Sequence, residues 1–146
     1  MPIHVELVAQ ERKLFEEPEA DIVIVPAVEG EMGILPRHAP VLTTLGFGEM
    51  VVRKGNAEER FAIYGGVVDV RPDKVVVLAD TAENEKNISA EAAEQARKRA
   101  LELMASGVKE HNREAALELR KAELALKLSR KVQQGGPKLR ILDEDE

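Results

Sequence analysis

The chain has 146 residues, a third of them charged and 44% apolar, and a formal net charge of −6, a balance that suits a folded soluble protein and argues against a disordered one. The absence of cysteine excludes a disulfide framework, a thiol nucleophile and a cysteine-ligated metal. Net acidity, with one Tyr, three Phe and no Trp, argues against nucleic acid as a partner, because phosphates need a basic face and bases need stacking aromatics.

The opening "MPIHVELVAQ" lacks the basic and apolar regions of a secretion signal and the Arg/Ser bias of a transit peptide. No apolar run approaches the roughly 20 residues that span a bilayer. The expectation is a protein acting where it is made, or on a surface facing that compartment. From residue 3 to 80 the apolar residues form short β-rich runs, "IHVELVA", "ADIVIVPA", "VLTTLGFGEMVVRKG", "RFAIYGGVVDVRP" and "KVVVLAD", separated by Gly, Pro, Asn and Asp; this is strand grammar. "HVELV" and "VVDVR" alternate with period two, so each strand has one buried and one wet face. Many short strands in so few residues predict an antiparallel β-sandwich or flattened barrel. Gly55-Asn56 is read as a hairpin tip able to take positive φ, and Pro72 in "RPDK" occupies the favoured second position of a type I turn. "YGG" at 64–66 reads as a bulge or a close backbone approach.

Near residue 86 the pattern changes to alanine, leucine and charge. Ser89 is the expected N-cap of a first helix with Glu91 in its first turn, followed by Ala92, Ala93, Ala96, Ala100, Leu103 and Met104 at helical spacing. Gly107 is placed to end it in a left-handed conformation. A second helix is expected from about Glu110 to Gln133, with Ala115, Leu119, Ala122 and Leu126 on one stripe and Leu117, Leu124 and Leu128 beside it, stopped by Gly135-Gly136-Pro137. The short connection makes the helices antiparallel neighbours. Their alanine-rich stripes bury little area, so an ordinary appendage and a docking element both remain open. The organisation expected is an α+β chain: a sandwich over 1–86, a mobile regulatory hairpin over 87–134 and an acidic tail over 135–146. Residues 1–86 carry 9 Lys/Arg against 16 Asp/Glu, while residues 87–142 carry 12 against 7, so the two modules face different neighbours.

Catalytic grammar is missing. There is no dinucleotide glycine fingerprint, no phosphate loop and no nucleophile elbow. His4, His38 and His111 are far apart in sequence, none with the spacing of a helical metal pair. Asp80 and Glu83 read as a solvated turn or helix-entry signal rather than an acid/base pair. The segment "GEMGILPRHAP" at 30–40 concentrates Gly, Pro and His, and its stiffness raises the question of a site. His38 has no sequence-evident group to orient it as a base, so shape rather than chemistry is expected of this loop. No catalytic residue, cofactor or metal is assigned.

Taken together, "GEMGILPRHAPVLTTLGFGEM" at 30–50, "YGGVVDVRPDKVVVLADTAE" at 64–83 and "RKAELALKL" at 120–128 resemble the epsilon chain of F-type ATP synthases, in the same order and over most of the chain. The resemblance implies a sandwich followed by a helical hairpin, in a non-catalytic central-stalk subunit on the cytoplasmic face of a bacterial membrane. It implies contacts with the gamma subunit and the membrane c-ring through Glu29, Glu31, Met32, His38, Ala39, Pro40, Leu42 and Thr43. In that family the hairpin can extend and restrain ATP hydrolysis. Arg113, Arg120, Lys121, Lys127, Arg130 and Lys131 would then meet acidic surface on the alpha/beta catalytic subunits. Some bacterial members bind regulatory ATP through Ile-Asp-x-x-Arg-Ala; this chain reads Ile88-Ser89-Ala90-Glu91-Ala92-Ala93, lacking the carboxylate and the guanidinium, so weak or absent ATP binding is expected. The alternative is a free-standing nucleotide-sensing module.

Overall fold

The computed structural model describes residues 2–107 and 109–131, apart from the side chains of Glu110, His111 and Lys131. The expected stop at 135–137, the tail 135–146 and the end of the second helix at Gln133 lie outside the described residues. The chain divides after Asn84 into two compact units.

The first unit is built from β1 (Ile3–Ala9), β2 (Arg12–Ala20), β3 (Ile22–Ala27), β4 (Gly30–Ile34), β5 (Val41–Lys54), β6 (Ala57–Val70), β7 (Lys74–Ala79) and β8 (Ala82–Asn84). Their order is β2-β1-β7-β6-β5-β3-β4, with β8 also on β6. Among the described residues β2 and β4, at the two ends of the order, do not pair with each other, so the sandwich is unclosed. The pairings are antiparallel with one exception: β1 lies parallel to β7 from His4↔Lys74 to Ala9↔Ala79, which makes the sheet mixed. A parallel neighbour needs a long crossover, supplied here by everything between the two strands.

Period-two burial follows the sequence closely. Ile3, Val5, Leu7 and Ala9 of β1 point inward, as do Val75, Val77 and Ala79 of β7. They join Phe15, Ile34, Met50 and Phe61 in one core, where the Phe15 and Phe61 rings meet at 5.0 Å. At about 3.3 Å per residue, the 14-residue β5 and β6 are each roughly 46 Å long, long enough to serve both layers of the sandwich. Glycines make the close passages. A Cβ on Gly66 would lie 2.2 Å from the Leu78 carbonyl oxygen, and one on Gly48 would lie 2.5 Å from Pro26 Cβ. "YGG" is therefore a close backbone approach: the β5–β6 register is the same on both sides, Leu45↔Gly66 and Phe47↔Tyr64, with φ +84° at Gly65 and +135° at Gly66.

Turns follow local chemistry. Gly55 takes φ +57° between β5 and β6, whereas Asn56 does not adopt positive φ. In the 71–74 turn, Arg71 N–H donates to Lys74 O at 2.8 Å. The β1–β2 turn is less expected: Gln10 and Glu11 hold φ +51° and +63°, a conformation usually filled by Asn and Gly. Pro18 and the charges of "RKLFEEPEA" blunt the free edge of β2.

In the second unit a short 3₁₀ turn, Glu85–Asn87, leads to α1 (Ala90–Ala105) and α2 (Lys109–Lys131). Ser89 caps α1, its Oγ accepting from Ala92 N–H at 3.1 Å, and Gly107 at φ +77° turns the chain. Burial corrects the expected stripes. In α1 only Ala93 and Ala100 are buried, whereas Leu103 and Met104 stay about 40% exposed. In α2 the buried line is Ala115, Ala122, Ala125 and Leu128, a spacing that selects Ala125 over Leu126 and leaves Leu117 outside.

Candidate functional site

The segment 30–40 is half strand. Gly30–Ile34 is β4, paired with β3 from Ala27↔Gly30 to Val23↔Ile34, and only 35–40 is irregular. Pro36 and Pro40 fix that part from both sides, and Arg37 at φ +67° donates its N–H to Pro72 O at 2.8 Å. His38 N–H donates to Leu35 O at 3.2 Å, while its Nδ1 lies 2.7 Å from Ala39 O. The ring is thus spent on its neighbour's carbonyl, an arrangement that holds shape and does not orient a base.

Backbone links bring several expected contact residues to one end of the sandwich. At the β3–β4 tip, Val28 N–H donates to Thr44 O at 3.0 Å. The first residue of β5 pairs as Val41↔Val70, next to the 71–74 turn that receives Arg37. Glu29, Glu31, Ala39, Pro40 and Leu42 are exposed there, and His38 and Thr43 are half-buried. Met32 packs partly against the core, which limits how much of it a partner could reach. Among the described residues the three most exposed large apolar side chains are Leu42 at 70%, Val28 at 60% and Leu35 at 58%. Val28 and Leu35 escape sequence reading; the available signal is an apolar residue placed in a turn between Gly, Pro or charged neighbours.

A second grouping also escaped it. His4, Glu6 and Glu16 bring their ligand atoms within 4.8 Å of one another, because the β1–β2 register places Glu6 opposite Glu16. His4 Nε2–H donates to Glu16 Oε2 at 2.5 Å. Lys13 lies 3.3 Å from Glu6 and 3.4 Å from Glu16, and Lys74 lies 3.4 Å from Glu6. Two carboxylates already meet two ammonium groups, so the cluster is a closed ion network with no charge left for a cation to neutralise. The hydrogen bond from His4 is the main cause holding the Glu16 carboxyl below its ordinary range. Elsewhere, burial first and the Glu83 charge second push the Tyr64 phenol up. Asp80 is exposed, and its carboxylate faces Gly65.

On the hairpin, Arg113, Arg120, Lys127 and Arg130 are exposed and Lys121 is half-buried, its Nζ 3.9 Å from Glu118. The Lys131 side chain lies outside the described residues. Lys127 and Arg130 line a cleft of about 420 Å³ with Glu94, Arg97, Glu123 and Leu126. Arg97 donates through Nη2 to Glu94 at 2.8 Å and through Nε at 3.3 Å, so its fork is committed to that carboxylate. Ser89 spends its hydroxyl on the helix cap. Among the described residues no helix is long and apolar enough to cross a membrane.

Comparison with known proteins supplies the family. Residues 2–85 match the model described as "ATP synthase, Delta/Epsilon chain, beta-sandwich domain". The chain is 42% identical to the ATP synthase epsilon chain of Dehalococcoides mccartyi, covering 88% of this chain and 93% of that one. It is 43% identical to that of Herpetosiphon aurantiacus, covering 87% and 88%. Among solved structures it resembles a chain of the Euglena gracilis mitochondrial ATP synthase, OSCP/F1/c-ring complex, with TM-score 0.68 at 21% identity over 91% of this chain and 80% of that one. A chain of the Tetrahymena thermophila mitochondrial ATP synthase central stalk and c-ring gives 0.62 at 15% identity over 88% and 97%; at these identities the likeness is one of fold. From the sandwich model and the near-full-length relatives together, the chain belongs to the ATP synthase epsilon-chain family.

Proposed function

We propose that this epsilon chain is a non-catalytic central-stalk subunit that couples ring rotation to ATP synthesis and restrains ATP hydrolysis through its helices. The exposed Val28 and Leu42, brought near one another by the Val28 N–H to Thr44 O bond, are the observation that carries the docking reading. Large apolar side chains in water favour burial by about 25 cal/mol per Å², and Val28 on a tight turn and Leu42 on a strand are presented at low ordering cost. Gamma and the c-ring are the partners assigned to this end, with Glu29, Glu31, Met32, His38, Ala39, Pro40, Leu42 and Thr43 in or beside the contact. The assembly stands on the cytoplasmic face of a bacterial membrane.

The hairpin's role rests on α2, whose exposed Arg113, Arg120, Lys127 and Arg130 suit an acidic surface on the alpha/beta subunits. Each exposed pair contributes only ~0–1 kcal/mol, so several act together. A 23-residue α2 is about 35 Å long, enough to reach from the stalk towards a catalytic head. ATP binding to the hairpin is expected to be weak or absent.

Deleting residues 87–146 in the assembled synthase should leave assembly and synthesis largely intact and raise hydrolysis; unchanged hydrolysis would remove the restraining role. Val28→Asp with Leu42→Asp should abolish co-purification of the chain with the complex. Retention at wild-type level would place the docking surface elsewhere.

A further inference from the structure

The solvent face of α2 carries a pattern that fits one particular segment of this chain. Arg113, Leu117, Arg120, Leu124 and Lys127 recur at spacings of four and three, so they lie along one side of the helix. Arg113 and Arg120 each stand two residues before a buried alanine, Ala115 and Ala122, which is about 200° around the helix at 3.6 residues per turn; the line therefore faces away from the packed side. Arg113, Arg120 and Lys127 are exposed, Leu117 is 40% exposed and Leu124 is half-buried. The exposed acids Glu114 and Glu118 fall off this line, and Glu123 flanks it. The result is a strip on which cations alternate with leucines over about 21 Å of helix, at 1.5 Å per residue.

Outside the described residues the sequence continues with Leu139, Ile141 and Leu142 and then Asp143-Glu144-Asp145-Glu146, apolar groups followed by four carboxylates, the complement of that strip. Residues 1–86 carry 9 Lys/Arg against 16 Asp/Glu, so the sandwich repels such a run where the strip attracts it. The tether suits the distance. Asp143 stands twelve residues after Lys131, with Gly135 and Gly136 between them, and a flexible segment of that length spans about 19 Å. Lys127 lies only about 6 Å back along the axis from Lys131, and Arg120 about 17 Å. A short tether holds its end at roughly millimolar effective concentration, enough for several weak exposed pairs to act together. We propose that the acidic run 143–146 folds back onto the solvent face of α2, occupying the strip from Arg113 to Lys127 until the acidic surface of a partner displaces it. The run then acts as an internal competitor that weakens the grip of α2 on that partner. This regulatory consequence rests on the proposed restraint of hydrolysis by the hairpin; the contact itself does not.

The test places a spin label on the full chain, which has no cysteine of its own, through Glu146→Cys, and reads the amide resonances of α2. At low salt the label should cut the intensities of 113–127 at least twofold, and about 0.5 M sodium chloride, which shortens the screening length to a few ångströms, should restore them. Asp143→Asn, Glu144→Gln and Asp145→Asn together should restore them at low salt, as should Arg113→Gln with Lys127→Gln on the facing side. Broadening that is the same with and without these charges reports a tether and no contact, and overturns the proposal; so does broadening confined to the sandwich. In the assembled synthase, neutralising 143–146 should lower ATP hydrolysis at least twofold, because the competitor is gone, whereas deletion of 87–146 should raise it. If the deletion raises hydrolysis and the neutralised run leaves it unchanged, the competition is refuted. If neither changes it, the restraint reading fails, and the labelled chain alone decides the contact.

Discussion

Gly66 offers the sharpest test of how the sandwich is packed. A methyl group there would meet the Leu78 carbonyl oxygen at 2.2 Å and Ala79 Cα at 2.8 Å, both backbone atoms of β7, so no side chain can swing aside. The residue also holds φ +135°, a region that costs an L-residue about 1–3 kcal/mol. Relief requires moving β7 away from β6, with loss of the adjoining Gly66↔Ala79 and Val67↔Leu78 pairs. Gly66→Ala should therefore cost about 3–5 kcal/mol, or roughly 12–40 °C in the melting temperature of a domain this size. Gly55 is the control: it also has positive φ, but a Cβ there meets nothing within 4 Å, so Gly55→Ala should cost only about 1 kcal/mol. Thermal unfolding followed by near-ultraviolet circular dichroism of the single tyrosine, Tyr64 in β6, reads the sandwich directly. Equal losses in the two variants would refute the close-approach argument.

Three further predictions concern local chemistry. The Glu16 carboxyl is held below its ordinary range by the bond from His4, so its stabilising effect is full above the unfolded value and disappears as pH falls through the lower folded value. The denaturant midpoint of Glu16→Gln should accordingly sit below wild type at pH 7, and the gap should narrow as the pH falls below the ordinary carboxylate range; a constant gap would show that the charge is not the cause. Replacing Gln10-Glu11, with φ +51° and +63°, by Asn-Gly should stabilise the sandwich by about 1 kcal/mol in urea unfolding, because those residues favour a type I′ turn. Ser89→Ala should cost α1 about 1 kcal/mol through loss of its cap, and this should appear as faster amide exchange over 90–93 with β6–β7 unchanged.

Local rules carried much of the fold. The period-two burial of β1 and β7, the turn at Pro72, the Ser89 cap and Gly107 depend on near neighbours and were legible as such. What escaped depended on residues distant in sequence. The parallel β1–β7 pairing has no local signature, and the His4–Glu6–Glu16 network exists only once β1 and β2 are in register. The stripes on the hairpin slipped because alanine and leucine recur at more than one helical phase, so periodicity alone leaves the buried line ambiguous between Ala125 and Leu126. In the 35–40 loop, stiffness could be read from Pro36 and Pro40. The solvent exposure of Val28 and Leu35 could not, since an apolar residue in a turn is as often tucked inward.

The parallel pairing also sets an order in time. β1 is synthesised well before one of its two neighbours, which begins 70 residues later, from His4↔Lys74, and contacts of such long sequence separation form late and slowly. On the ribosome β1 and β2 can form only a two-stranded ribbon, marginal by itself, until Ala79 has emerged. α1 and α2, by contrast, draw their backbone bonds from residues four apart and fold as soon as they are made. β1 therefore waits on β7 to be secured, and a nascent chain stalled before residue 79 would present an unpaired, aggregation-prone edge to whatever chaperone waits at the exit.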